Sequence, residues 1–313
     1  MSRALIFPGQ GSQRVGMGKE IYNAFGIARQ VFEEVNDTLG QNLSRLMFEG
    51  PENELTLTEN AQPALMTVSI AIVRVLEQES SQAISDVAEF VAGHSLGEYS
   101  ALAAAGAISL PDTARLLKCR GVAMQNAVAI GDGQMTAILG LGLDEVVKIA
   151  EMASNQGVCE IANDNAPGQI VLSGQSAAIE HAMMLAKENG AKRALTLDVS
   201  APFHCALLQP AAEIMGEALA SVTIRSPHPP LISNVIAEQV NQPNQIRNLL
   251  VAQVTSRVRW RESVLWMKSK GVDNLVEVGT GKVLTNLSRR IDNEVSGHSV
   301  EKPDDLDQLL RSI

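Results

Sequence analysis

Two rhythms of hydrophobicity run along the 313 residues. Short unbroken apolar runs, bounded by glycine, proline or polar residues, lie at Ala4 to Phe7, Phe90 to Ala92, Leu231 to Val235 and Leu275 to Val278. Such runs mark strands covered on both faces. Elsewhere apolar residues return every third or fourth position, the spacing of one helix face. Helices are predicted at Ile21 to Thr38, Leu43 to Phe48, Gln62 to Glu77, Glu98 to Ala105, Asp112 to Val128, Ala206 to Ser221, Gln245 to Thr255, Trp260 to Ser269 and Lys282 to Ile291. The stretch Ala64 to Val73 is apolar nearly all round and predicts a buried helix, with Pro63 in its first turn. Gln78 to Asp86 reads as a polar loop, and the residues after Ile291 as a polar tail.

Residues 131–199 follow an order of their own. Met135 to Leu141, Val158 to Asn163, Gln169 to Ser173 and Lys192 to Val199 are strand-like, while Asp144 to Gln156 and Ser176 to Asn189 are helical and end at Gly157 and Gly190. The sequence βαββαβ is the ferredoxin-like arrangement. The predicted fold is therefore α/β: a hydrolase-like core with a parallel sheet flanked by helices, in residues 1–130 and 200–313. A small ferredoxin-like domain at 131–199 is inserted into it and walls one side of a cleft.

Composition narrows the function. A formal net charge of -10 argues against a nucleic-acid binder, which needs a basic face. Cys119, Cys159 and Cys205 are odd in number and lack metal or disulfide spacing, which fits a reduced cytoplasm. No segment has the ~18 consecutive apolar residues of a membrane span, and Ala4 to Phe7 is too short for a signal-peptide core. No membrane partner is expected.

The chemistry centres on Gly93-His94-Ser95-Leu96-Gly97, between the run ending at Ala92 and the helix opening at Glu98. A serine in G-x-S-x-G stands on a tight strand-to-helix turn with its hydroxyl exposed, so Ser95 is the candidate nucleophile; the bland alternative is a Gly-Ser turn capping an Ala-rich helix. Such sites take one oxyanion donor from the residue after the serine, here Leu96, and a second from a separate loop. Pro8-Gly9-Gln10-Gly11-Ser12-Gln13 follows the first strand and offers the N–H of Gln10; Arg14, where a third glycine belongs, argues against a dinucleotide site. Gly279-Thr280-Gly281-Lys282 fails the P-loop pattern, with Val283 where Ser or Thr is needed.

On a helical wheel Arg120 shares a face with Leu116, Leu117, Ala123, Met124 and Ala127. A guanidinium aimed at the core needs an anion, and both a substrate carboxylate and an internal Asp or Glu remain open. Met124, on that face, is expected to line the same site. Of five histidines, His94 adjoins the nucleophile and should project away from its oxygen, His181 is mid-helix, His228 lies between prolines and His298 is in the tail. His204, on a loop after a strand, is the candidate base.

These segments, with Cys119-Arg120-Gly121, Asn165-Ala166-Pro167-Gly168-Gln169, Phe203-His204 and Glu277-Val278-Gly279, together resemble the malonyl-CoA:acyl carrier protein transacylases of bacterial fatty acid synthesis over almost the whole chain. The resemblance implies that Ser95 is acylated, that His204 is its base, and that Gln10 and Leu96 form the oxyanion hole. It further implies that Arg120 pairs with the malonyl carboxylate. A main-chain carbonyl of Gln253 would orient the histidine, without an acidic third member. Phe203 leans toward malonyl selectivity, and Thr280, where many relatives have proline, is an expected harmless departure. Malonyl-CoA and acyl carrier protein are the implied partners, in ping-pong transfer without a cofactor or metal, by a cytoplasmic monomer. Acyl carrier proteins are acidic, and Arg257, Arg259, Arg261, Lys268 and Lys270 form the best basic cluster to receive one; a solvated helix face is the alternative.

Rival readings keep the same elbow. An esterase or thioesterase would place a carboxylate behind His204, from among Asp112, Asp132, Asp144, Asp164 and Asp198. A scaffold subunit would not need the Ser95, His204 and Arg120 set. An acyltransferase of polyketide synthesis or malonate breakdown would use identical chemistry with another carrier.

Overall fold

Strands of the continuous apolar kind need cover on both faces, and the molecule supplies it. A computed structural model describes residues 2–129 and 131–313; Met1 and Ile130, the second at the expected seam between the two units, lie outside the described residues. Among those residues ten strands form two sheets: β1 (Arg3–Phe7), β2 (Phe90–Gly93), β3 (Gly133–Leu139), β4 (Cys159–Ala166), β5 (Gln169–Gln175), β6 (Arg193–Thr196), β7 (Leu231–Ile232), β8 (Gln239–Val240), β9 (Asn274–Val278) and β10 (Ser296–Val300). The larger sheet has the order β10-β9-β1-β2-β7-β8. Its pairings are parallel except the last, between β7 and β8.

Side chains alternate across the central strand, as the period of two requires. Leu5 and Phe7 enter the main core with the long helix Thr58–Ser80, while Ala4 and Ile6 join a second cluster around Trp260, Val264 and Leu284. The outcome is a parallel-rich sheet with helices on both faces. Arg3 is the polar exception in β1, and its guanidinium donates to the Ser312 carbonyl at 2.6 Å, tying the end of the chain to its first strand.

The smaller sheet, β4-β5-β3-β6, is antiparallel and belongs to a strand-helix-strand-strand-helix-strand segment with helices Leu143–Ala153 and Ser176–Glu188. Ile138, Ile170 and Leu172 pack under those helices, and Met135, Ala137 and Val171 on the opposite face join the main core. At irregularities in its register β4 stays paired with β5 as far as Ala166 and also bridges to the larger body at Val258. Asp164 N–H donates to the Val258 carbonyl at 3.0 Å, and Val258 N–H donates to the Ala162 carbonyl at 2.8 Å.

Several elements differ from expectation. The buried helix starts at Thr58, so Pro63 lies inside it rather than in its first turn. The earlier turn is polar, Thr58 to Gln62, and hides the true start from an apolar pattern. Ile21 to Thr38 is two helices, Lys19–Ala24 and Gly26–Leu39, broken at extended Phe25 before a glycine that disfavours helix. The tail holds β10 and helix Pro303–Leu310, which dock chiefly through Val300, Leu306 and Leu309.

Candidate active site

The nucleophile turn is built from close backbone approach. A Cβ on Gly93 would overlap the Gly97 carbonyl, and one on Gly97 would overlap the carbonyl of Phe7 in β1. With both glycines, β2 reverses into helix Leu96–Ala104 and leaves Ser95 at φ 54°, a left-handed conformation that non-glycine residues seldom adopt. Asn234 holds that conformation: its Oδ1 accepts the Ser95 N–H at 2.8 Å and its Nδ2 donates to the Gly93 carbonyl at 2.7 Å.

His204 is also at positive φ, 60°, and is buried. Its Nε2 lies 2.8 Å from Ser95 Oγ and its Nδ1 lies 2.8 Å from the Gln253 carbonyl. A carbonyl only accepts, so Nδ1 carries the hydrogen and the Nε2 lone pair receives the serine hydroxyl proton. Burial first, and Arg120 second, hold the His204 pKa down to about 3. The ring is therefore neutral at physiological pH. The place where a hydrolase keeps its carboxylate is filled by main chain; Asp112 instead serves a helix cap and Arg115, Asp164 pairs with Arg261, and Asp198 stands in the pocket wall.

Arg120, from helix Leu110–Asn126, is fully buried because Gly121 seats that helix against the backbone of Thr58 and Glu59. Its Nη2 donates to Ser95 Oγ at 3.0 Å and to Gln253 Oε1 at 2.8 Å; its Nη1 donates to Gln62 Oε1 at 2.9 Å. The guanidinium lies 5.6 Å from the centre of the Tyr99 ring, and its Nε has no partner among the described residues. No carboxylate bonds it directly. Glu98, wholly buried, is one link away, accepting from Gln253 Nε2 at 2.7 Å.

These groups open on a pocket of about 270 Å³, lined by Ser95, His204, Arg120, Gln10, Leu96, Met124 and Phe203 among others. Leu96 is the first residue of its helix, so its N–H has no intrahelical acceptor. Gln10 is steadied by its side-chain bond to Thr58 Oγ1 at 3.2 Å. Gln253 stands behind the pocket. His94 lines it too, and, as expected, its ring turns away from the serine oxygen, with Nε2 bonded to Asn165 Oδ1 at 2.8 Å.

The sequence reading missed Gln62, Glu98, Tyr99 and Asn234. Asn234 carried a signal, since with Ser233 it interrupts the apolar run Leu231 to Ile236, and Glu98 is the one charged residue between Phe90 and Asp112 apart from His94. The proposed basic cluster is not a free cationic face. Arg257 and Arg259 both pair with Glu262, Arg261 with Asp164, and Lys268 with Asp292 and Glu294, while Lys270 lies over Trp266. Thr280 is buried beside Gly279, which at φ 137° needs its glycine. Among the described residues no group of three His, Cys, Asp or Glu is placed to hold a metal, and no helix is long and apolar enough to cross a membrane.

The acyl transferase domain family matches residues 4–301. The malonyl CoA-acyl carrier protein transacylase of Bacillus subtilis strain 168 is 44% identical over 99% of this chain and 96% of its own. A crystal structure of acyl-carrier-protein-S-malonyltransferase from Bartonella henselae is 53% identical with a TM-score of 0.98, covering 100% of this chain and 99% of that one. The complex PlMCAT:AntF, a type II PKS acyl-carrier protein with its malonyl-transacylase, aligns at 40% identity and TM-score 0.96 over 100% of both chains.

Proposed function

The chain belongs to the acyl transferase family, and from that premise we propose that it carries a malonyl group from malonyl-CoA, by way of Ser95, to the phosphopantetheine thiol of acyl carrier protein. The observation that carries this reading is that one oxygen, Ser95 Oγ, is 2.8 Å from a neutral imidazole nitrogen and 3.0 Å from a buried guanidinium. A base and a fixed cation on one nucleophile suit an acyl group that itself ends in a carboxylate.

His204 Nε2 takes the hydroxyl proton as Oγ attacks the thioester carbonyl. The N–H groups of Gln10 and Leu96 stabilise the oxyanion that forms. As it collapses the carbon–sulfur bond breaks, and the leaving sulfur takes the proton from His204. Arg120 pairs with the free carboxylate of the malonyl ester, Met124 and Phe203 wall its methylene, and the Gln253 carbonyl keeps the imidazole in its reactive tautomer. The carrier thiol then gives its proton to His204 and attacks the ester carbonyl, and Ser95 leaves reprotonated. No redox or metal chemistry enters these steps, so a chelator should leave the rate unchanged. Residues 131–199 are best described as a small domain whose Met135, Asn163 and Leu197 wall the pocket opposite the larger part, 1–130 and 200–313. A cytoplasmic monomer fits the three free cysteines.

The test incubates the protein with malonyl-CoA, with and without carrier. Malonyl on Ser95 by peptide mass, passed to added carrier, is expected. Free malonate as the main product would replace this reading with a hydrolase. Fatty acid synthesis is the pathway we assign. The likeness to the AntF partner favours polyketide synthesis as the second reading, and comparing rates on the two kinds of carrier separates them.

A further inference from the structure

The Gln253 side chain ties the site together. Its Nε2 donates to Glu98 Oε2 at 2.7 Å and to the Ser95 carbonyl at 3.0 Å, and its Oε1 accepts from Arg120 at 2.8 Å. An amide has nearly the same shape either way round, so its orientation is set by what surrounds it. Arg120 can only donate. The Ser95 carbonyl can only accept, and Glu98 Oε2 accepts here from Gln253. If the amide turned over, its NH₂ would face the guanidinium and its oxygen would face two acceptors. Glu98 is held in turn by Asn234, whose N–H donates to the same Oε2 at 3.2 Å. Glu98, Arg120, Asn234 and Gln253 are buried, so water cannot substitute for a partner lost among them.

Resting on the malonyl-transfer reading, we propose that Glu98 is a positioning residue for substrate selection: acting as a hydrogen-bond acceptor, it fixes the Gln253 amide so that Arg120 is aimed at the pocket. It touches no reacting atom. Its influence reaches the malonyl carboxylate through Gln253 and Arg120. The Ser95–His204 pair keeps a support of its own, because His204 is oriented by the Gln253 main chain, so losing the arm should weigh more on the malonyl carboxylate than on the nucleophile that Arg120 and Gln253 also touch.

The test compares malonyl with acetyl transfer, after peptide mass has established that the wild-type protein is malonylated at Ser95. Without that signal the functional reading fails, and the positioning role is not what has been refuted. Glu98→Met keeps the volume and removes the acceptor. The ratio of malonyl to acetyl kcat/KM should fall by about 10- to 100-fold, the range for losing a buried hydrogen bond to a charged group. Glu98→Gln, which can present one carbonyl oxygen at the Oε2 position, should restore the ratio to within about fivefold of wild type, since a neutral acceptor forfeits only the charge-assisted part of the bond. Should Glu98→Met fail to fold, Gln253→Met reports from the other side and should lower the same ratio. In the double variant the ratio should match that of Gln253→Met. An unchanged ratio in either single variant, equal damage from Met and Gln at position 98, or losses that multiply in the double variant would each overturn the proposal.

Discussion

The nucleophile turn and the polar cluster behind it reach their precision by opposite means. At the turn, backbone does the positioning: two glycines let β2, β1 and the following helix approach until no Cβ fits, and Ser95 has a single place to go. Behind it, side chains from distant segments, Gln62, Glu98, Arg120 and Gln253, form a chain of donors and acceptors in which each orientation depends on the next. The difference teaches that a covalent step can be specified locally, whereas handling a substrate's charge in a dry interior requires contributions from the whole chain.

The sharpest break is at the nucleophile. Ser95→Ala should lower malonyl transfer by about 10⁶-fold with an unchanged melting temperature, as removal of a nucleophile does elsewhere. Gly97→Ala should instead abolish the fold there, with a loss of more than about 4 kcal/mol in denaturant unfolding, because the new methyl meets the Phe7 carbonyl. On the other side of the comparison, Arg120→Ala should cost malonyl transfer about 10²- to 10³-fold, the scale of a buried charge contact. Acetyl transfer should be retained or enhanced, and equal loss of both would make Arg120 merely structural.

A pH titration sharpens the contrast further. His204 has its pKa lowered from 6.5 to about 3, so the unfolded chain binds more protons between those values and stability falls as pH drops through that window. Glu98, raised by burial from 4.5 to about 7, acts oppositely: the folded chain binds more protons, and stability falls as pH rises from 4.5 toward 7. Removing the acid with Glu98→Gln should therefore steepen the loss of stability on acidification between pH 6.5 and 4.5 by about 1.4 kcal/mol per pH unit relative to wild type. An unchanged slope in urea melts would show that Glu98 titrates normally. The smallest effect is expected at Lys268, whose ion pairs lie at the surface, where solvent screens them. Reversing its charge should leave the Michaelis constant for carrier protein unmoved, since Asp292 and Glu294 already match it.

Much of the fold could be read from the chain because its signals are local. The runs at Ala4 to Phe7 and Leu275 to Val278 and the glycines at 93 and 97 each announce their geometry within a few residues. Arg120 was visible as a cation on an apolar face, though its partner was not: it is neither Asp nor Glu but the amides of Gln62 and Gln253. That pairing joins positions 58 and 133 residues apart, and no window along the chain contains it. The pairing within the basic cluster is hidden for the same reason. Arg261 looks free in sequence and meets Asp164 only because β4 bridges to Val258, three residues before it. Strand β10 escaped notice because an edge strand needs few apolar residues.

That bridge also constrains motion. The smaller sheet is stitched to the larger body beside the pocket by two main-chain bonds at Val258 and by the Arg261–Asp164 pair. Swinging the smaller sheet away from the larger body would break all three contacts at once, so the seam resists that motion.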